Sequence, residues 1–275
     1  MHEADDQEIE GLPSTVHSYL QRLYRDPRYL LIERVERFGR ERIAFIEGCT
    51  MLSATGEMQG QALLNREYEV HGRPDGDRPY GQESLLDFHL ASRRDGPVSL
   101  SDEEQSALRD ESWQYYVRRN FAFLLGDYIQ AREDAEHNLG IWNLIEQSDA
   151  AEGAKWSYLR WWPWIERDRA TAQALWDIEH GNAEHAATEL YRAQRSIKQF
   201  EDRHADRYTQ SEEDQQSMCS QMVEHLAALV DLLAGEADLP TSLEEQLDAA
   251  LAADNDDEIE LLRKEMIRRA MEEPE

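Results

Sequence analysis

The stretch FAFLLGDYIQA, from Phe121 to Ala131, places a glycine and an aspartate between two apolar segments. Before it, apolar residues recur at helical spacing, at Leu108, Trp113, Tyr116, Phe121 and Leu124. After it, they recur at Tyr128, Ala131, Ala135, Leu139 and Ile145. Because glycine commonly stands just past the end of a helix, Gly126 and Asp127 are expected to separate two amphipathic helices. The centre of the chain is therefore predicted to be a helical pair.

The chain on both sides of this pair, from Ser101 onward, also has the pattern of helices. Ser101 is followed by three acidic residues, which is typical of a helix start because carboxylates there complement the helix dipole. Further helices are expected at about 152–163, 165–180, 183–202 and 211–234. The sequence LPTS, from Leu239 to Ser242, ends this block and begins a last helical hairpin.

The N-terminal third is less regular. Residues 1–11 are acidic and are expected to be a disordered leader. A helix is predicted from Val16 to about Tyr24. From Tyr29 to Ile46 the apolar residues keep roughly helical spacing, which predicts a second helix, although Gly39 interrupts the pattern.

Residues 49–70 are consistent with either a small β-hairpin or another helix, since Ser53 to Gly56 has the composition of a turn and Leu64 to Val70 alternates like a strand. A loop rich in glycine and proline follows, and Ser84 is expected to cap a short helix. The fold is thus predicted to be mainly α. Its predicted parts are a mixed or helical region at 12–95, a helical bundle at 100–236 and a C-terminal helical hairpin at 241–272.

The stretch around Gly126 resembles the junction of a tetratricopeptide (TPR) helix pair. In that family a glycine ends the first helix, an aromatic residue follows two positions later, and a small alanine lets the second helix pack closely. Gly126, Tyr128 and Ala131 match these positions, and Gly181 and Ala186 repeat part of the pattern. The two glycines are 55 residues apart, whereas tandem repeats of this family recur about every 34. The resemblance therefore implies stacked antiparallel helices, which an ordinary helical bundle with glycine turns also explains.

Two short leucine-rich segments end the chain, Leu243–Leu251 and Asn255–Ile267, with an acidic turn between them. They resemble the UVR motif, a helical hairpin of excision-repair nuclease subunits and of regulators of Clp-type proteases, in which it docks onto other proteins. The sequence departs from the motif at three positions: Asp256 stands where the motif usually has an aromatic residue, Ile259 where it has a small alanine, and Lys264 where it has an acid. The chain has no GxxxxGK[ST] phosphate loop, so only docking is implied. The residues that the resemblance implies in partner binding are Leu243, Leu247, Leu262, Arg263, Met266 and Ile267.

The densest aromatic stretch runs from Trp156 to Trp164. Trp161 and Trp162 are adjacent and cannot both face the centre of one buried helix face, so at least one is expected to be partly exposed or packed against a different element. Tryptophan and arginine are frequent anchors of protein interfaces, and Trp161, Trp162 and Trp164 are therefore added to the candidate partner-binding residues. Packing between helices in the core is the favoured interpretation of the stretch as a whole.

The 275 residues include 58 acidic and 29 basic side chains, which gives a net charge of −29. Nucleic-acid binding depends on Lys and Arg at the phosphates, so direct contact with nucleic acid is not expected. Three of the basic residues are lysines, at 155, 198 and 264. An acid-rich, lysine-poor composition suits high salt, but a GC-rich genome also replaces lysine by arginine. Salt adaptation is therefore a hypothesis.

The sequence also bears on location. No apolar run approaches the roughly 18 residues of a membrane span, and the N-terminus has neither the basic nor the apolar segment of a secretory signal. The two cysteines, Cys49 and Cys219, fit no zinc pattern and no disulfide scaffold. A cytoplasmic protein without a membrane segment is expected.

Candidate catalytic and metal-binding pairs do not rise above chance. Ferritin-like di-metal sites use Glu-x-x-His, and three acid-x-x-histidine pairs occur here: Asp134/His137, Asp177/His180 and Glu201/His204. With 58 acids and nine histidines, about two such pairs are expected by chance. Asp87 and His89 would point in different directions on a helix, which argues against a catalytic dyad. No catalytic, cofactor-binding or metal-binding residues are therefore predicted.

Together these observations predict a non-catalytic adaptor that binds another protein through its C-terminal hairpin. The alternative is an orphan enzyme or a metal- or ligand-binding helical domain, which a pocket with converging carboxylate or histidine side chains would favour. A nucleic-acid-associated repair accessory protein ranks third and would need a basic face. Self-association into a homo-oligomer is left open.

Overall fold

The computed structural model describes residues 12–52, 58–92, 98–207, 213–236, 239–253 and 255–272. It is mainly α-helical, as predicted, with a small antiparallel sheet in the N-terminal third. The strands are β1 Tyr29–Arg37, β2 Arg40–Leu52 and β3 Met58–Glu69. The helices are α1 Ser14–Tyr24, α2 Leu85–Ala91, α3 Asp102–Leu124, α4 Tyr128–Glu146, α5 Glu152–Leu159, α6 Trp162–Glu179, α7 Ala183–Arg203, α8 Glu213–Glu236, α9 Leu243–Ala252 and α10 Asp256–Glu272.

The chain divides into two compact units, residues 1–172 and 173–275, with the boundary inside α6. Unit 1 holds α1, the sheet, α2 to α5 and the first part of α6. Unit 2 holds the last part of α6 and α7 to α10. Among the described helices, none combines the length and apolarity that crossing a bilayer requires.

The predicted helix pair at the centre of unit 1 is confirmed as α3 and α4. Gly126 has a φ of 74°, which a residue with a side chain rarely adopts. The Gly126 N–H donates to Phe123 O at 3.3 Å, and the Asp127 N–H donates to Ala122 O at 2.8 Å, which together form a Schellman turn. The Asp127 carboxylate then accepts from the Gln130 N–H at 3.1 Å and caps α4.

The start of α3 also follows from local sequence. Ser101 accepts from the Glu104 backbone N–H at 3.2 Å, and the Glu104 carboxylate accepts from the Ser101 N–H at 2.8 Å. This reciprocal arrangement is a capping box, and it satisfies two donors that a helix start would otherwise leave open. The expected Ser84 cap of α2 is confirmed as well, since its hydroxyl accepts from the Asp87 N–H.

The predicted helix from Tyr29 to Ile46 is wrong, because this segment forms β1 and most of β2. Phe38 and Gly39 both have positive φ, at 55° and 70°, between the paired residues Arg37 and Arg40. Positive φ at both central residues defines the two-residue turn that matches the twist of a β-hairpin. The register shifts between Tyr29 and Leu31. The partly buried residues of β1, Tyr29, Ile32 and Val35, are three positions apart, so its apolar residues lack the two-residue period of a regular strand and imitate a helix.

The open alternative at 49–70 is resolved as strand. β2 pairs with β3 in antiparallel register, and the sheet order is β1-β2-β3. The proposed turn at Ser53 to Gly56 lies outside the described residues. One face of the sheet packs on α3 through a cluster of apolar side chains. Its buried members are Ile43, Phe45, Val70, Val117 and Phe121, and Tyr29, Ile32, Tyr68, Tyr116 and Leu125 pack against them.

Buried polar side chains join the elements of unit 1. Arg118 donates to the Asp134 carboxylate at 2.6 and 3.0 Å and to the backbone carbonyls of Glu69 and Gly72, both at 2.8 Å. Arg118 and Asp134 are each 1% exposed. One guanidinium thus connects α3, α4 and the end of the sheet. Since its charge is paired and its donors are bonded, its burial is compensated.

Unit 2 is built from two helical pairs. Gly181, with a φ of 77°, lies between α6 and α7. The Gly181 N–H donates to Ile178 O and the Asn182 N–H to Asp177 O, the same Schellman pattern as at Gly126. α7 packs against α8 through its buried residues Ala186, Ala187, Leu190, Ala193, Ile197 and Phe200. α9 and α10 form the C-terminal helical hairpin.

Candidate functional site

Unit 1 contains an open pocket of about 560 Å³ that is lined mainly by apolar surface. Small-molecule sites typically have volumes of about 300–1,000 Å³, so the pocket is large enough for one organic ligand or a large side chain. It is bordered by α3, α4, α5 and the first turn of α6. The lining residues are Arg109, Ser112, Trp113, Tyr116, Arg119, Asn138, Ser157, Tyr158, Trp161, Trp164 and Ile165.

α3 supplies one wall of the pocket. Arg109, Trp113 and Tyr116 are spaced three or four residues apart, as side chains on one face of a helix are. Trp113 is 51% exposed and Arg109 is also exposed. The rings of Trp113 and Tyr116 are 5.1 Å apart, centroid to centroid. This wall was not predicted from the sequence, although Arg109, Trp113 and Tyr116 at helical spacing form a pattern that could have indicated it.

A second part of the lining comes from the tryptophan-rich stretch. The rings of Trp161 and Trp164 lie 6.4 Å apart at an interplanar angle of 69°. Trp161 is 41% exposed, so the expectation that one of the adjacent tryptophans is partly exposed is confirmed. Trp162 lies elsewhere, with its ring 6.3 Å from that of Trp142. Of the three tryptophans predicted to bind a partner, the structure therefore brings Trp161 and Trp164 together in the pocket.

Each tryptophan of this wall lies beside a guanidinium. The Arg160 guanidinium carbon is 5.3 Å from the Trp161 ring centroid, and that of Arg167 is 4.8 Å from the Trp164 centroid. Cations within about 6 Å of an aromatic face are attracted by its electron density. These contacts hold the rings in place and add positive charge near the pocket.

A buried cluster of charged side chains adjoins the pocket through Arg119, which is one of the lining residues. Asp168, which is 0% exposed, contacts both Arg119, at 2.9 Å from Nη2 to Oδ2, and Arg167. The Tyr24 hydroxyl donates to the other carboxylate oxygen at 2.9 Å. Burial and the neighbouring Asp168 carboxylate raise the pKa of Tyr24, so it stays a proton donor. Two guanidinium cations share one carboxylate here, and the formal charge of these three side chains is therefore positive.

A second polar group borders the pocket. The Ser112 hydroxyl contacts the Tyr158 hydroxyl at 2.7 Å and donates to Asn138 Oδ1 at 3.1 Å. Burial raises the pKa of Tyr158 to about 12, so its hydroxyl stays protonated at neutral pH. Aromatic faces, arginines and hydroxyl groups can orient a bound molecule. The side chains that line and border the pocket are therefore suited to binding a small molecule.

The residues predicted for docking from the C-terminal hairpin occupy different positions. Leu262 belongs to the internal apolar cluster of the hairpin together with Ala250 and Ile259, and Leu243 and Leu247 pack against that cluster. Arg263 is exposed and Met266 is half-buried. The Ile267 side chain lies outside the described residues.

The outer surface of the hairpin carries two leucines that the sequence did not single out. Leu251 on α9 is 46% exposed and Leu261 on α10 is 66% exposed. Each stands next to a buried position of the hairpin, at Ala250 and Leu262. The sequence contained a pattern that could have indicated them. Each helix of a hairpin needs one apolar face to pack against the other, so a leucine on a second face is not required for folding of the hairpin.

α9 is attached to α7 by polar contacts. Arg192 pairs with Glu244 at 2.7 Å, the Tyr191 hydroxyl donates to Asp248 at 2.7 Å, and Arg195 lies 3.4 Å from the same carboxylate. The hairpin is thus held to unit 2 through α9, while α10 packs on α9. Arg192 and Arg195 are thus used in this attachment.

Three of the acids next to histidines in sequence have other partners in the fold. Asp134 is bound by Arg118, Asp177 lies 2.6 Å from His185, and Asp87 accepts from the Ser84 hydroxyl at 2.7 Å. Within the described parts of the chain, no group of three or more His, Cys, Asp or Glu side chains is arranged to hold a metal ion.

No protein-family model, curated protein or solved structure matches this chain. The UVR and TPR resemblances therefore stay predictions. The pocket of unit 1 and the hairpin of unit 2 are the two candidate functional surfaces of the described residues.

Proposed function

We propose that this chain is a non-catalytic adaptor that docks onto another protein through the outer surface of the α9–α10 hairpin. The observation that carries the proposal is the exposure of Leu261 and Leu251 on a hairpin whose own apolar cluster is already filled. Leucines with this exposure gain free energy when a partner covers them, by about 25 cal/mol for each Å² removed from water.

The attachment of α9 to α7 supports the same proposal. The contacts of Glu244 and Asp248 with α7 fix one helix of the hairpin, so binding would not have to order it. A surface that is already ordered loses less conformational entropy on association. The UVR-like pattern agrees with docking, since the motif serves that purpose in the proteins that carry it.

The test has two stages. The full-length chain is first used as bait in a lysate of its native host, and the captured proteins are identified by mass spectrometry. Each captured protein is then purified and its affinity is measured for the unmodified chain and for Leu261→Ser. A docking residue near the centre of an interface is expected to weaken affinity by about tenfold or more when replaced.

Leu90→Ser is the matched control, because Leu90 is a helical leucine of similar kind, 47% exposed on α2. Its affinity for the partner should equal that of the unmodified chain. Equal weakening by both variants, or none by Leu261→Ser and Leu251→Ser, would show that the hairpin surface is not the docking site.

A second candidate function is ligand binding by unit 1, which the pocket specifically favours. Its volume, its aromatic walls and its few polar groups are those of small-molecule sites. Saturable binding of a small aromatic probe, weakened by Trp161→Ala, would support this function. Absence of any such binding would leave the hairpin as the functional surface.

A further inference from the structure

We propose that the pocket of unit 1 selects a planar aromatic molecule that carries a carboxylate or a similar small anionic group. This inference rests on the second candidate function, ligand binding by unit 1. It adds the chemical class of the ligand, which follows from the side chains that line the pocket.

The walls specify the aromatic part. Trp113 and Tyr116 line the pocket from α3, and Trp161 and Trp164 line it from the start of α6 and the residue before it. Aromatic rings pack most favourably against other aromatic rings in offset or edge-to-face arrangements, which gain free energy beyond that of area burial. Trp113 and Trp161 are about half exposed and therefore have ring surface available to a ligand.

The charges specify the anionic part. Arg109 and Arg119 are the charged side chains in the lining, and no acidic residue is among the lining residues that the structure describes. This is unusual for a chain with twice as many acidic as basic residues and a net charge of −29. Such a chain repels anions in general, so an anion would be drawn specifically to a region of opposite local potential.

The two lining arginines differ in their surroundings. Arg119 is 1% exposed and is held in position by Asp168, which also contacts Arg167. Arg109 is exposed at the pocket, and no carboxylate of the described residues lies within 4 Å of it. Guanidinium groups bind carboxylates through two parallel hydrogen bonds. Arg109 can therefore take the anionic group of a ligand without giving up an ion pair of its own.

The test compares naphthoate with its uncharged amide, which has the same ring system. Binding of each to the full-length chain is measured by isothermal titration calorimetry at neutral pH and low ionic strength. The carboxylate is expected to bind saturably at one site, and the amide about fivefold to tenfold more weakly, as a charge-assisted hydrogen bond predicts.

Two variants locate the binding. Trp161→Ala is expected to weaken both probes, whereas Arg109→Gln is expected to weaken naphthoate about fivefold and to leave the amide unchanged. The matched controls are Phe38→Ala and Arg25→Gln, an exposed aromatic residue and an exposed arginine outside the pocket. Neither control should change the affinity for either probe.

The outcomes separate this inference from the function on which it rests. Equal affinity for the two probes, with both weakened by Trp161→Ala, would keep the ligand site and overturn its selectivity for anions. Failure of both probes to bind, or binding that Trp161→Ala does not affect, would overturn the ligand site as well. The probe comparison on the unmodified chain needs no substitution, so it decides the selectivity even if a variant folds poorly.

Discussion

The buried side chain of Glu111 connects three helices in the core of unit 1. Its carboxylate is 0% exposed and accepts from the backbone N–H groups of Leu85 and Leu86, at 2.8 and 3.2 Å, in the first turn of α2. His137 lies 3.0 Å away on α4 and Arg73 lies 3.5 Å away. A carboxylate on α3 thus satisfies the open donors at the start of another helix and complements its dipole.

The first prediction concerns Glu111→Gln. Burial alone raises the pKa of Glu111, but the bonds from His137, Leu85 and Leu86 outweigh it, and the pKa is lowered. A carboxylate with a lowered pKa stabilises the fold fully above its unfolded-state pKa of about 4.3, and the contribution is lost as pH falls through the folded-state value. At neutral pH the substitution should reduce the free energy of unfolding by about 1.5–3 kcal/mol.

The measurement is urea unfolding of both proteins between neutral and acidic pH. The difference in free energy between them should be largest above pH ~4.3 and should shrink below it. The comparison cancels the other carboxylates, which both proteins share. A difference that stays constant across this range would show that ionisation of Glu111 does not contribute.

The partners of the polar residues divide into those that sequence could predict and those that it could not. Ser84 and Ser101 bond to groups three residues away, and both caps were expected from the local pattern. Glu111 bonds to groups 25 and 26 residues away, and Arg119 to Asp168. Such pairings depend on how the helices pack. The pocket as a whole was therefore not predicted, although Trp161 and Trp164 were among the predicted partner-binding residues.

At the level of the elements, most helices could be predicted because their apolar residues recur at helical spacing and because glycine or proline stands near their ends. Gly126 and Gly181 both end a helix with positive φ. The β1–β2 hairpin was missed for two physical reasons. The partly buried residues of β1 are three positions apart instead of two, and its turn is Phe-Gly, whereas Asn-Gly is the usual sequence for this turn type.

The second prediction concerns this turn. Phe38 has a φ of 55° and is 96% exposed, so it bears an unfavourable backbone conformation without packing in return. Asparagine adopts that conformation more readily and precedes glycine in turns of this type. Phe38→Asn should therefore raise the free energy of unfolding by about 0.5–1 kcal/mol in urea titrations.

Leu63→Asn is the matched control, since Leu63 is an exposed apolar residue within β3. It should leave stability unchanged or reduce it, because asparagine is unfavourable in a strand. If both variants were stabilised alike, lower surface hydrophobicity would be the cause and the turn conformation would not.

At the scale of the whole molecule, the dominant feature is the net charge of −29. Repulsion among like charges opposes compaction, and salt screens it over a Debye length of about 10 Å at 0.1 M. Salt also weakens exposed ion pairs such as Arg78–Glu83, at 2.9 Å, but each of these contributes only about 0–1 kcal/mol. The loss of repulsion is therefore expected to exceed the loss of attraction.

The third prediction follows. The free energy of unfolding in urea should rise by about 1 kcal/mol or more from low salt to about 0.5 M KCl. Screening of this kind is nearly complete at that concentration, so a plateau beyond it would indicate repulsion alone. A continued steep rise into the molar range would support adaptation to high salt, and a fall would contradict the expected balance.

The contact between Tyr24 and Asp168 has a consequence for the order of events on the ribosome. These residues are 144 positions apart, and Tyr24 also stacks on Phe123 at 3.9 Å between ring centroids. At a translation rate of about 5–20 residues per second, α1 is synthesised roughly 7–30 s before its carboxylate partner exists. Nascent α1 can pack on α3 earlier, through the stacking of Tyr24 on Phe123, but its hydrogen bond to Asp168 forms only after α6 has been synthesised, so unit 1 completes its packing at that stage.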